Sequence, residues 1–176
     1  MWKQFSLVFF VVFGCYMGVN SNPQPLKHLT NELEVHVPAS TVWEIYRNLG
    51  LLKLAVQQNL IQSVRVLKGH GGVGTVVNVT FLPGNSSYTE KFTVIDDQKR
   101  MKVTQGLKGD CLAIGCSVQI IQFDITEKSD NSSVIKSEIA YAVKKGFEAK
   151  NPKPSIQLVA ALAQLVKNFL ENKNHA

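Results

Sequence analysis

Tyr88, Glu90 and Lys102 carry most of the chemical content of this chain. They lie in the run Tyr88-Thr-Glu-Lys-Phe-Thr-Val-Ile-Asp-Asp-Gln-Lys-Arg-Met-Lys102. On a strand from Tyr88 to Ile95, side chains alternate between faces, so Tyr88, Glu90, Phe92 and Val94 share one face. A turn at Asp96-Asp97-Gln98 that pairs Ile95 with Lys99 sets Phe92 opposite Lys102. That register brings the lysine to the face of Tyr88 and Glu90. A phenol, a carboxylate and an amine facing one interior form an acid–base set, because burial raises a carboxyl pKa and lowers an amine pKa. Both shifts favour proton transfer near neutrality. The same pattern also fits a strand whose glutamate faces water and whose lysine runs its stem to the sheet edge. Side-chain placement separates the two readings.

The elements that must position these groups follow from the periodicity. Leu33 to Val37 alternates and predicts a half-buried strand with Leu33, Val35 and Val37 inward. Ser40 is the expected cap of a helix running through Trp43, Ile45 and Tyr46. Leu49-Gly50 interrupts it, and Leu51 to Leu60 resumes a helical pattern, giving two short helices with a bend. Strands are expected at 63–68, 75–81, 88–95, 99–106, 116–127 and 134–143, with Gly69-His-Gly-Gly-Val-Gly74 and Leu82-Pro-Gly-Asn-Ser-Ser87 as connections. Turns at this frequency indicate antiparallel pairing. After Pro152 and Pro154, Ser155 is the expected cap of a long helix. Leu158, Val159, Leu162, Leu165, Val166, Phe169 and Leu170 recur there at helical spacing. The resulting class is α+β, with a curved seven-stranded antiparallel sheet wrapped on a long C-terminal helix. A sheet that curls round a helix without collapsing on it leaves an internal cavity for a small molecule. Trp43, Phe92, Phe123 and Phe169 are assigned to the core or the cavity lining.

The 176 residues suit one domain, with a formal net charge of +6. Lys3, the apolar run Phe5 to Met17 and the small residues Gly18 to Ser21 predict a secretory signal peptide over 1–21 and a mature domain over 22–176. The run is short for a membrane span, which leaves an uncleaved signal anchor as the alternative. Removing Lys3 with the signal lowers the charge from +6 to +5. The basic residues are scattered, without the dense cluster or aromatic interleaving of a nucleic-acid surface. His28, His36, His70 and His175 lie far apart and give no metal-site spacing. Cys111 and Cys116 have access to a disulfide in an oxidising compartment. The favoured reading keeps them unbridged, because one extended strand holds residues at that spacing too far apart. Asn78, Asn85 and Asn131 open glycosylation triplets; Asn85 and Asn131 lie in polar loop sequence.

The motifs Gly69-His-Gly-Gly-Val-Gly-Thr75, Glu90-Lys-Phe92 followed by Asp96, Ser132-Ser-Val-Ile-Lys-Ser137 and the Leu-rich last helix resemble the Bet v I superfamily of plant pathogenesis-related proteins. The resemblance runs from about Leu26 to Lys173 and implies a helix-grip fold. Within that superfamily, Glu32-Leu-Glu-Val35, Gly71-Gly-Val-Gly-Thr75, Phe81-Leu-Pro-Gly84 and Tyr88-Thr-Glu-Lys-Phe92 resemble the norcoclaurine synthase branch. That branch condenses dopamine with 4-hydroxyphenylacetaldehyde by a Pictet–Spengler reaction. It implies catalytic roles for Tyr88, Glu90 and Lys102, and a pocket that includes Phe92, Ile121, Phe123 and Cys111. Ile121 falls where the branch carries an aspartate, and Cys111 where it carries a tyrosine. No cofactor or metal is implied. The expected partners are a small aromatic amine and an aldehyde, or another apolar plant metabolite. A monomer or weak dimer in the secretory pathway is expected, without stable membrane insertion after signal cleavage. The competing expectation is a non-catalytic carrier of a hormone, flavonoid or alkaloid, which the alkyl side chain of Ile121 favours. A nuclease role, claimed for some relatives, finds no paired histidines or basic cluster here.

Overall fold

The computed structural model describes residues 24–173, so the expected signal segment lies outside the described residues. Strand β1 (Lys27–Val35) is followed by helices α1 (Ala39–Tyr46) and α2 (Gly50–Gln57). Strands β2 (Ser63–Lys68), β3 (Val76–Phe81), β4 (Ser86–Asp96) and β5 (Met101–Lys108) come next. A short helix α3 (Asp110–Ile114) precedes β6 (Cys116–Ser129) and β7 (Ser132–Val143), and the chain ends in α4 (Ile156–Lys173). One seven-stranded antiparallel sheet forms in the order β1-β7-β6-β5-β4-β3-β2. Six strands therefore form a meander, and β1 joins it beside β7.

The alternation that predicts the strands also supplies the core. On β6, Gln119, Ile121, Phe123 and Ile125 are buried; on β7, Ser133, Ile135, Ser137 and Ile139 are buried. Against this face α4 sets Val159, Leu162, Ala163, Val166 and Leu170, an inward stripe at three- and four-residue steps. Each large apolar side chain so buried contributes about 1.5–3 kcal/mol. Two short helices follow from the bend residues. The Asn48 Oδ1 accepts the Gly50 N–H at 2.8 Å and starts α2. Among the described residues no helix is long and apolar enough to cross a membrane.

Four local expectations are corrected. Strand β1 begins at Lys27, because its outward polar residues still pair with β7, as in Lys27 with Tyr141. Ser40 lies inside α1; the cap position is Pro38, which has no side chain to cap with. In the β4–β5 hairpin, Phe92 pairs with Thr104 and Ile95 with Lys102, with an irregularity between Phe92 and Val94. This bulge turns Val94 outward, 36 % exposed, where simple alternation had it inward. Finally, Cys111 and Cys116 are disulfide-bonded, with Cα atoms 5.2 Å apart. The unbridged reading assumed extended backbone, whereas Cys111 sits in α3 and Gly115, at φ +127°, turns the chain back towards it.

Candidate active site

Adjacent strands carry Glu90 (β4) and Lys102 (β5) to the concave face, where they are 8 % and 2 % exposed. The solvent-facing reading of these residues is thereby excluded. The hairpin register differs from the expected one by two residues at Phe92 and, past the bulge, by three at Ile95. Inward Phe92 still faces Thr104, and Lys102, two residues from Thr104 on β5, stays inward. The Thr104 hydroxyl donates to Glu90 Oε2 at 2.7 Å. Lys102 Nζ donates to the backbone carbonyl of Asn48, in the α1–α2 bend, at 2.6 Å. It also lies 3.7 Å from the centre of the Phe92 ring, a cation–π contact. Lys102 thus ties the sheet to the bend between the two short helices. Another tie holds α1 nearby: Trp43 Nε1 donates to Asp97 Oδ1 at 2.8 Å.

Burial dominates the titration of all three candidate groups. It raises the Glu90 carboxyl pKa, against smaller opposing effects from the Thr104 hydrogen bond and the Lys102 charge. It pulls Lys102 from its ordinary 10.5 down to about 8, while Glu90 holds it up in part. The Tyr88 phenol is pushed up first by burial and then by the charges of Glu90 and Asp110, so it stays protonated at any physiological pH. Its hydroxyl is buried and has no hydrogen-bond partner among the described residues.

A cavity of about 50 Å³, the space open to the centres of water molecules, lies between this face and helices α2 and α4. Tyr88, Glu90, Lys102, Ile121 and Phe123 all line it, as do Thr104, Leu51, Leu52 and Leu158. At about 10–15 Å³ for one water, this volume holds a few water molecules and no aromatic ligand. Two expected lining residues are elsewhere. Phe92 is wholly buried beneath the Lys102 ammonium and does not line the cavity. Cys111 belongs to a separate apolar cluster with Cys116, Tyr141 and Val143, where the disulfide holds it.

Sequence reasoning missed four contributors. Thr104 follows Lys102 by two residues, and the alternation that placed the lysine also marks the threonine. Asn48 acts through its backbone carbonyl, which no side-chain pattern reveals. Gln119, 1 % exposed on β6, donates from Nε2 to Asp110 Oδ2 at 2.7 Å. Burial raises the Asp110 pKa, against the Gln119 bond and the Cys111 N–H. Among the described residues no group of three His, Cys, Asp or Glu side chains is placed to hold a metal ion.

A long helix gripped by a curled sheet, with a carboxylate and an amine turned into the space between, defines the helix-grip class of small-molecule proteins. The chain belongs to the Pathogenesis-related protein Bet v 1 family, whose profile matches residues 26–173. It is 41 % identical over 120 residues to norbelladine synthase of Narcissus pseudonarcissus, spanning 65 % of this chain and 74 % of that protein. It is 32 % identical over 161 residues to S-norcoclaurine synthase 2 of Papaver somniferum, spanning 88 % of this chain and 70 % of that one. The fold matches the X-ray structure of norcoclaurine synthase from Thalictrum flavum in complex with dopamine and hydroxybenzaldehyde. That match has a TM-score of 0.75 and 26 % identity and covers 97 % of both chains.

Proposed function

We propose that this protein is an amine–aldehyde condensing enzyme of alkaloid biosynthesis. It would join a phenethylamine such as dopamine to an aldehyde such as 4-hydroxyphenylacetaldehyde by a Pictet–Spengler reaction. The observation that carries the reading is the pair Glu90 and Lys102, both buried and lining one apolar cavity, each shifted by burial towards its neutral form. The relatives at 41 % and 32 % identity support it.

In this reading the amine adds to the carbonyl carbon, and the carbinolamine loses water to leave an iminium. The electron-rich ring then attacks the iminium carbon, and loss of a ring proton restores aromaticity. Glu90, made more basic by burial, takes up a proton in the cyclisation and rearomatisation steps. Lys102, titrating near 8, donates a hydrogen bond to the ring oxygen as it becomes phenolate and relays its proton. Tyr88 orients the substrates through its hydroxyl. Ile121 presents only an alkyl group, so that wall offers no acid for the dehydration. Substrate entry requires the interior to widen, since about 50 Å³ is far below the roughly 300–1,000 Å³ of ligand pockets. In this reading α2 is the wall that would move, since Leu51 and Leu52 line the cavity beside the bend that Lys102 holds.

The alkyl wall at Ile121 also suits a carrier that binds an apolar metabolite without converting it. Incubation with dopamine and 4-hydroxyphenylacetaldehyde, followed by chiral chromatography, separates the two. The enzyme reading expects enantiomerically enriched product, formed about 10²–10⁴-fold more slowly by Glu90→Gln. Racemic product at the buffer rate would sink it and leave the carrier.

A further inference from the structure

Beyond the cavity, on the side of Tyr88, two glycines bring three oxygen-bearing side chains together, with Asp110 exposed and Gln119 and Tyr88 buried. A Cβ on Gly106 would lie 2.9 Å from Tyr88 Oη and 3.3 Å from the Gln119 backbone oxygen, so the phenol rests directly on this stretch of β5. A Cβ on Gly109 would lie 3.1 Å from Tyr88 Cα, so the turn into α3 rides on β4 and delivers Asp110 beside the tyrosine. Asp110 is held there at φ +45° by the Gln119 amide. Two further atoms are unsatisfied: Tyr88 Oη and Gln119 Oε1 are both buried without a hydrogen-bond partner among the described residues. No ion pair among the described residues balances Asp110.

The geometry points to a subsite for the primary ammonium of the amine substrate, formed by the Asp110 carboxylate, Gln119 Oε1 and the Tyr88 hydroxyl oxygen. A primary ammonium carries three N–H donors and one positive charge. The three oxygens offer three acceptors and one negative charge. Ile121 contributes no charge, and Asp110, whose charge acts on the Tyr88 phenol, is the carboxylate beside the two unsatisfied oxygens. Four residues of β5 separate Lys102 from Gly106, about 13 Å of strand. The ring hydroxyls are assigned to Lys102, inside the cavity, and the amine to Asp110, beyond its wall at Tyr88. Tyr88 joins them, lining the cavity with its ring and meeting the subsite with its oxygen. The identity of the amine rests on the condensation reading; the existence of a cation site does not.

The test is calorimetric binding without any aldehyde, so that nothing reacts. The probes are dopamine and 4-ethylcatechol, which has the same ring without the amine. The wild type is expected to bind dopamine about 10-fold or more tightly than 4-ethylcatechol, the scale of one charge-assisted hydrogen bond. Asp110→Asn should abolish that preference and leave 4-ethylcatechol binding unchanged. Asparagine tolerates positive φ and still accepts from Gln119, so the fold is retained. Gln119→Met, which removes both the orienting donor and the free acceptor, should produce the same selective loss. In turnover, Asp110→Asn should raise KM for the amine more than it lowers kcat. A wild type that binds the two probes alike, or binds neither, overturns the subsite, as does an Asp110→Asn protein weakened equally for both. Selective amine binding with no product from both substrates together would overturn the condensation reading and leave the subsite standing.

Discussion

Replacing Lys102 by methionine keeps most of the side-chain volume and removes the charge, so its effect on stability can be worked out from the buried ammonium. The lysine pKa falls from 10.5 in the unfolded chain to about 8 in the native protein. Between those values the unfolded chain holds a proton that the folded protein has released, so native stability rises with pH across this window. A shift of this size is worth about 3 kcal/mol of stability, present at high pH and lost as pH falls through 8. Lys102→Met has no such dependence. At pH 7 it escapes the burial penalty but loses the bond to the Asn48 carbonyl, about 1–3 kcal/mol, so the two proteins should be of similar stability there. Urea denaturation of both proteins at intervals from pH 7 to pH 10.5 gives the difference, and titrations common to the two cancel. The wild type should gain about 3 kcal/mol on the variant over that range. Parallel stability curves would refute a buried, depressed lysine and, with it, the proton relay assigned to this residue.

Gly109→Ala places a Cβ against the Ser87 carbonyl oxygen at φ +87° and should cost about 2–4 kcal/mol in urea denaturation; a loss under about 0.5 kcal/mol would show that the turn into α3 is not tightly held. Tyr46→Phe removes a buried hydroxyl that has no partner among the described residues and should stabilise by about 1 kcal/mol, read as a higher Tm; a lower Tm would mean that the hydroxyl is satisfied. Reducing the Cys111–Cys116 bridge, which closes a very short loop, should lower stability by about 2 kcal/mol, measured as the urea midpoint with and without dithiothreitol; an unchanged midpoint would refute a structural role.

The architecture was legible because each element advertised its period: two for β6 and β7, three to four for α4. The candidate pair Glu90 and Lys102 was legible for the same reason, and it survived a wrong hairpin register because the slip is even on the Glu90–Phe92 side of the bulge and the bulge absorbs the odd residue beyond it. Val94 was misplaced because a bulge adds one residue, and no composition signal at Thr93 announces it. The disulfide was missed because the chain between Cys111 and Cys116 was read as extended, although Gly115 marks a reversal. Phe92 shares the inward face of Glu90 yet underlies Lys102, since facing inward does not decide depth. The Asp110–Gln119 pair joins a turn to a strand, a relation that a one-dimensional period does not encode.

The position of β1 in the sheet has a consequence for biosynthesis. His28 and its partner Glu138 are 110 residues apart, so the first strand to emerge from the ribosome waits for the last. Until Ser132–Val143 has been made, β1 and the outer edge of β6 both offer bare amide and carbonyl groups to any other nascent chain. A transcript truncated before codon 132 would yield a product with two sticky margins. Such a product belongs to the proteostasis machinery.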